Sequence, residues 1–68
     1  MPSSVILRIK YFNASNTLRI FFVSGMIYDY LKVPEKIYEA MKKARSKGIY
    51  FNLEIKGRYR FKKIDSKN

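Results

Sequence analysis

The sequence predicts a small α+β domain in which a three-stranded antiparallel sheet packs on one α-helix, followed by a short helical turn and a basic C-terminal segment. Two stretches alternate apolar and polar residues with the period of two that is typical of β-strands, and residues 13–16 between them favour a turn. A third strand follows Gly25, and Val33-Pro34 separates it from a stretch with apolar residues at helical spacing. The chain of 68 residues is therefore predicted to form a single domain over residues 1–68.

The first two strands are predicted at residues 4–11 and 17–23 and form a hairpin. A four-residue loop places most of their apolar residues on one face, which we call the core face. The expected pairs on the core face are Tyr11 with Leu18, Ile9 with Ile20, and Leu7 with Phe22. On the opposite side of the sheet, the second face, Lys10 lies opposite Arg19. Because like charges at opposite positions destabilise a hairpin, either an anion binds there or the long side chains separate into water.

The third strand is predicted at residues 26–31, and the length of the loop before it decides which way Tyr28 and Tyr30 point. A two-residue loop places both tyrosines on the second face, but Asp29 then faces the core without a partner, which costs several kcal/mol. A three-residue loop places the tyrosines in the core under the helix, and Asp29 faces water. We favour the three-residue loop because it avoids burying an unpaired carboxylate.

This register leaves an apolar patch on the second face, and a patch of this kind needs cover. Its members are Phe21, Val23, Ile27 and Leu31. We expect the Tyr59 and Phe61 side of the C-terminal segment to cover it. A second subunit is the next alternative, and a nucleic-acid base stacked on Phe21 is the third.

The helix is predicted at residues 34–45, because proline suits the first helical position and apolar residues follow at helical spacing. Those apolar residues are Ile37, Tyr38, Met41 and Ala44. Glu35 at the start and three cations at the end complement the helix dipole. Gly48 is the expected residue at the end of the helix.

The segment after the helix is strongly basic and its structure is less regular. We predict a short helical turn within residues 49–55. Residues 58–63 alternate cations with Tyr59 and Phe61, which predicts a strand or an extended segment. Residues 65–68 are expected to fray.

The charge balance indicates an anionic partner. Lysine and arginine number 15 against five acids, which gives a net charge of +10. A surface charged only for thermal stability would mix the two signs, so we interpret the excess as a sign of nucleic-acid binding. The lack of glutamine, cysteine and histidine also fits a thermophilic source.

The missing residue types restrict the chemistry. Without cysteine or histidine the chain lacks the usual zinc ligands, the commonest general base and a common nucleophile. We therefore expect no metal site, no cofactor and no enzyme activity. No signal peptide is evident, and the longest apolar run, Ile20–Val23, is far too short to span a membrane, so we expect a cytoplasmic protein without a membrane partner.

An ordered set of residues runs from Ser3 to Phe61. It comprises Ser3-Ser4-x-Ile6, Thr17-Leu18-x-Ile20-x-Phe22-x-x-Gly25-x-x-Tyr28-x-Tyr30-x-x-Val33-Pro34, Ile37-Tyr38, Ala44, Ser46-Lys47-Gly48, Phe51-Asn52-x-x-Ile55-Lys56 and Tyr59-x-Phe61. This set resembles the KTSC domain family, named after the C-terminal extension of some lysyl-tRNA synthetases. The resemblance implies a stand-alone member with Tyr28 and Tyr30 as the central Tyr-x-Tyr of the family. It also implies RNA binding, the function usually suggested for such domains.

Together these observations predict a small nucleic-acid-binding module that favours RNA over DNA and binds mainly through phosphates. The candidate phosphate-binding residues form three groups: Lys56, Arg58, Arg60, Lys62 and Lys63 in the C-terminal segment, Lys42, Lys43, Arg45 and Lys47 around the helix end, and Arg8, Lys10 and Arg19 on the second face. The candidate stacking residues are Phe21, Tyr28, Tyr30, Tyr59 and Phe61. The alternative is a protein-interaction or homodimerisation module that uses the apolar patch Phe21, Val23, Ile27 and Leu31.

Overall fold

The computed structural model describes residues 6–64, which form a four-stranded antiparallel sheet with helices packed on its core face. The strands are β1 (Ile6–Phe12), β2 (Thr17–Phe22), β3 (Ile27–Tyr30) and β4 (Phe61–Ile64), in the spatial order β1-β2-β3-β4. The helices are α1 (Glu35–Lys43) and α2 (Lys47–Tyr50), and a π-helical turn (Phe51–Ile55) follows α2 directly. The predicted start of the first strand and the predicted fraying tail lie outside the described residues.

The C-terminal segment was predicted to be either a strand or an extended segment, and part of it is a strand. Residues 61–64 form a strand that pairs with β3, whereas Arg58 and Arg60 lie outside it. This strand lies beside β3 in the sheet. Phe61 lies opposite Tyr30 on the core face and Tyr59 packs against the core, so neither side chain covers the second face. The prediction that Tyr59 and Phe61 cover the apolar patch is therefore wrong.

The hairpin of β1 and β2 has the predicted register at its loop end, where Tyr11 lies opposite Leu18. The predicted pairing of Leu7 with Phe22 is wrong, because β1 is irregular at Leu7 and Ile6 pairs with Phe22 instead. An extra residue in a strand reverses the alternation of side chains beyond it. Ile6 therefore packs against the core, and Leu7 is exposed.

Residues 23–26 connect β2 to β3, and the Phe22 amide donates to the Met26 carbonyl at 2.9 Å, so the register is that of the predicted three-residue loop, 23–25. Gly25 has a φ of 100°, a backbone conformation that favours glycine. In the resulting register Tyr28 lies opposite Ile20, and both Tyr28 and Tyr30 lie on the core face. The prediction for the two tyrosines is confirmed.

The prediction that Asp29 faces water is wrong. Asp29 is only 9% exposed, and the Arg19 guanidinium donates to both of its carboxylate oxygens at 2.7 and 3.0 Å. The two residues lie directly opposite each other on the second face. Because β4 pairs with the outer side of β3, Asp29 lies in an interior strand, where solvent has little access. The hydrogen bond to Asp29 raises the pKa of Arg19, so the guanidinium remains charged.

The like-charged pair Lys10 and Arg19 is stabilised by other groups of the chain. Asp29 supplies the anion that Arg19 needs, and the guanidinium carbon also lies 5.0 Å from the centre of the Phe12 ring. The Lys10 amine lies 5.5 Å from the centre of the same ring. Contacts between cations and aromatic rings contribute roughly 0.5–1 kcal/mol at exposed sites. These contacts offset the repulsion without an external anion.

The predicted role of Gly48 at the end of the helix is wrong. Helix α1 ends at Lys43, and Gly48 lies buried inside α2. The Ser46 hydroxyl accepts a hydrogen bond of 3.2 Å from the Ile49 amide, so it caps the start of α2. The helical turn predicted within residues 49–55 is confirmed, since α2 continues into the π-helical turn.

Replacing Ser46 with alanine should lower the free energy of unfolding by about 1 kcal/mol, because the start of α2 loses its capping acceptor. Urea denaturation measures the change. Ser24→Ala is the matched control, since the Ser24 hydroxyl accepts only a long contact of 3.5 Å at an exposed loop. An equal loss of stability in the two variants would contradict the capping role.

The core lies between the core face of the sheet and the helices. Its buried side chains are Leu18, Ile20, Tyr30, Val33, Met41, Phe51 and Ile55. At one end of this core the Tyr11 hydroxyl donates to the Val33 carbonyl at 2.6 Å, and its ring stacks on Tyr38 at 5.0 Å between centroids. The longest helix has nine residues, and no helix within residues 6–64 has the length and apolarity that a membrane span requires.

Candidate nucleic-acid interface

Four aromatic rings form a closed circuit of contacts at the other end of the core face. The Phe22 ring contacts Tyr28 edge to face at 5.5 Å between centroids, and Tyr28 lies nearly parallel to Tyr30 at 6.4 Å. Tyr30 contacts Phe51 at 5.5 Å and Phe51 contacts Phe22 at 5.6 Å, both edge to face. Strand alternation places three of these rings on one face, and the π-helical turn supplies the fourth.

Phe61 extends this circuit towards solvent. Its position opposite Tyr30 places its ring 5.4 Å from Tyr30 and 5.2 Å from Tyr28, tilted by 35° and 34°. The side chain is 56% exposed, whereas Tyr30 is 4% exposed. A large exposed aromatic side chain packed against buried rings offers a ligand an apolar surface.

These rings line a pocket of about 650 Å³, which we call the aromatic pocket. Its aromatic lining consists of Phe22, Tyr28, Tyr30, Phe51, Tyr59 and Phe61. Lys56, Arg58 and Arg60 also line it, and none of the described residues around it is acidic. The Nε of Arg58 donates to the Leu53 carbonyl at 3.1 Å, which ties this cation to the π-helical turn. The pocket therefore combines an aromatic lining with three positive charges.

The buried tyrosine of the pocket, Tyr30, is neutral at physiological pH. Burial raises the pKa of the Tyr30 phenol above its ordinary value, and the neighbouring Tyr28 adds to this rise. Tyr30 therefore keeps its hydroxyl proton and adds no negative charge that would repel an anionic ligand.

Seven of the sequence-predicted site residues meet at the aromatic pocket. They are Lys56, Arg58, Arg60, Tyr28, Tyr30, Tyr59 and Phe61. Tyr30 lies in the core and Tyr28 packs against it, and both side chains also line the pocket.

The remaining two cations of the C-terminal group point to different faces of the sheet. Lys62 lies opposite Asp29 and therefore belongs to the second face. Lys63 lies opposite Tyr28 and therefore belongs to the core face. Neither of them lines the aromatic pocket.

The other predicted groups lie elsewhere. Lys42, Lys43, Arg45 and Lys47 lie around the end of α1, where the Lys42 amine is 3.5 Å from Glu39 and 5.2 Å from the centre of the Tyr38 ring. Arg8, Lys10, Arg19 and Phe21 lie on the second face. There the Arg8 guanidinium covers the Phe21 ring at 4.6 Å, so that ring is already in contact with a cation.

Five lining residues of the pocket are not among the predicted site residues: Phe22, Ser24, Met26, Phe51 and Gly57. Phe22 could have been predicted from the sequence, because the alternation of β2 places it on the same face as Tyr28. Phe51 could not have been predicted in this way, because the direction of its side chain depends on the wider π-helical turn.

Comparison with known proteins places these features in context. A family model described as the KTSC domain matches residues 2–59, so Arg60 and Phe61 lie just beyond the match. The chain is similar to lysine–tRNA ligases of Nostoc punctiforme and Trichormus variabilis, with 43% and 38% identity over 61 residues. These matches cover 90% of the chain but only 11% of each ligase.

A solved structure has a similar fold over nearly its whole length. It is the crystal structure of a KTSC domain protein from Yersinia pestis, which matches with a TM-score of 0.84 and 38% sequence identity. The match covers 96% of this chain and 94% of that protein.

Proposed function

This chain belongs to the KTSC domain family, and we propose that it is a nucleic-acid-binding module that favours RNA and binds mainly through phosphates. The observation that carries the proposal is the convergence of three cations and six aromatic rings at one pocket without a described acid. Cations of this kind supply most of the affinity for a nucleic-acid backbone, and aromatic rings stack on bases.

The charge of the pocket narrows the class of ligand. An aromatic pocket for a quaternary ammonium group relies on attraction between the cation and the rings. Here Lys56, Arg58 and Arg60 repel such a ligand. A ligand that carries both an aromatic ring and negative charge fits both features, and a nucleotide is such a ligand.

The relatives support RNA over DNA. The similar segments occur in proteins named lysine–tRNA ligases, and that name specifies an RNA. Because the chain spans 11% of the length of these relatives, the proposal takes from them only the class of nucleic acid.

Titration of a labelled, short single-stranded RNA tests the proposal, with duplex RNA and duplex DNA as comparisons. If the three pocket cations each neutralise one phosphate, the logarithm of the association constant should fall with the logarithm of salt concentration with a slope of about −2. Absence of binding to all three nucleic acids at low salt would refute the function. Tighter binding to duplex DNA than to either RNA would contradict the preference for RNA.

A second candidate function is a protein-interaction or homodimerisation module. The observation in its favour is that β4 does not cover the apolar patch, and Val23 remains exposed. Arg8 and Lys10 lie on the same face, so a second copy of the chain would bring like charges together. Sedimentation at several protein concentrations tests this alternative, which requires a dimer that replacement of Val23 and Ile27 by aspartate abolishes.

A further inference from the structure

The aromatic rings of the pocket differ strongly in their exposure to solvent. Tyr30 is buried in the ring circuit, whereas Phe61 beside it is more than half exposed. Phe61 contacts Tyr28 and Tyr30 at a tilt, so these contacts leave much of its surface free. A flat ligand can therefore lie against Phe61 without displacing any ring of the circuit.

The chemistry of the lining favours a planar aromatic ligand over an alkyl chain. Six of the lining side chains are aromatic rings, and Met26 is the one flexible aliphatic side chain among the described lining residues. Flat aromatic surfaces stack on bases with little regard to sequence, because every base has an aromatic face. The volume of about 650 Å³ lies within the range of ordinary small-molecule sites.

The cations define where the charged part of such a ligand lies. The connection between the π-helical turn and β4 supplies Lys56, Arg58 and Arg60. Arg60 directly precedes Phe61 in the chain. A phosphate bound to these cations is thus close to a base that stacks on Phe61.

We propose that the aromatic pocket holds one unpaired nucleobase of a single-stranded RNA, stacked on Phe61, with the adjoining phosphates held by Lys56, Arg58 and Arg60. This inference rests on the proposed function and adds a preference to it. Bases within a duplex are stacked on each other and are not available to an aromatic pocket, so the protein selects single strands.

The test uses a short single-stranded RNA that carries one 2-aminopurine, and the same RNA annealed to its complement. Stacking of the fluorescent base on an aromatic ring changes its emission, so this signal reports the pocket separately from overall affinity. We expect the single strand to bind at least about fivefold more tightly than the duplex, with a change in emission for the single strand.

Three variants assign the effect to Phe61. Phe61→Leu keeps an apolar side chain but removes the ring, and it should weaken single-strand binding about fivefold and abolish the change in emission. Phe61→Tyr keeps the ring and should preserve both. Phe12→Leu removes a ring on the second face and is the matched control, which should leave both measurements unchanged. Circular dichroism and urea denaturation verify that each variant is folded.

The possible failures are distinguishable. Equal binding of single strand and duplex, unaffected by Phe61→Leu, would overturn the pocket inference and leave the phosphate-based function standing. Absence of any RNA binding would refute both. An acidic peptide containing one tyrosine that competes for the pocket as strongly as the RNA would assign the pocket to a protein partner and overturn the inference.

Discussion

Replacing Asp29 with asparagine should lower the free energy of unfolding by about 2–3 kcal/mol. The substitution removes the negative charge that holds the Arg19 guanidinium through two hydrogen bonds, in a position next to Lys10. Removing one partner of a fully buried ion pair costs about 3–5 kcal/mol. Because the Arg19 side chain is 32% exposed, water recovers part of this loss. A chain of this length has a total stability of roughly 3–10 kcal/mol, so the loss is large.

Urea denaturation of Asp29→Asn measures this effect, and Glu39→Gln is the matched control. Glu39 pairs with Lys42 at 3.5 Å, but both side chains are close to half exposed. The charge change is the same in both variants, and the expected loss for the exposed pair is below about 1 kcal/mol. Similar losses in the two variants would show that Arg19 does not depend on Asp29.

Replacing both Lys56 and Arg60 with glutamine should weaken the binding of single-stranded RNA about thirtyfold at physiological salt. The double variant removes two of the three cations that line the aromatic pocket. A loss of about 1 kcal/mol per charged contact amounts to about thirtyfold in the dissociation constant. The slope of the salt dependence should also become shallower by about 1.4, since two phosphates lose their counter-charge.

The control for this double variant removes the same charge at another place. Lys36→Gln combined with Lys43→Gln lowers the net charge equally, but both residues are exposed on α1 and neither lines the pocket. We expect a loss of affinity below about threefold, because distant charges are largely screened at physiological salt. An equal loss in the two double variants would show that the pocket cations contribute no more to the affinity than the cations of α1.

The sequence was sufficient to predict which residues of β2 and β3 lie on each face of the sheet, and Asp29 shows both the strength and the limit of that reasoning. The high cost of an unpaired buried carboxylate led to the correct register for Tyr28 and Tyr30. A chain can also avoid this cost by pairing the carboxylate. Arg19 lies directly opposite Asp29 in this register and supplies the partner.

Other features had no local signal strong enough to decide them. The irregularity at Leu7 reverses an alternation that otherwise continues without interruption, and Gly48 fits the end of one helix as well as the interior of the next. These cases depend on tertiary packing, because the local preferences of the two alternatives are nearly equal.

The aromatic pocket was the least predictable feature, although most of its residues were named from the sequence. The alternation around Phe61 indicates a strand. It does not indicate which strand of the sheet this strand pairs with, or which face of the sheet Phe61 lies on. Pairing with β3 is what places Phe61 beside Tyr28 and Tyr30, while the other face would have been equally compatible with the pattern. Such a contact links residues about 30 positions apart, a distance at which local sequence preferences carry little information.

Because β4 pairs with β3 at the aromatic pocket, binding of a ligand in the pocket is linked to the pairing of these two strands. Within the described sheet, β4 is an edge strand that pairs with β3 alone, and the pocket lies across the boundary between these two strands. A ligand that binds only when the strands are paired stabilises that pairing, by about 2.7 kcal/mol at a concentration one hundred times its dissociation constant. Separation of β4 would dismantle the pocket while the β1–β2 hairpin stays intact. The C-terminal strand is therefore the part of the fold whose opening and closing a bound ligand would control.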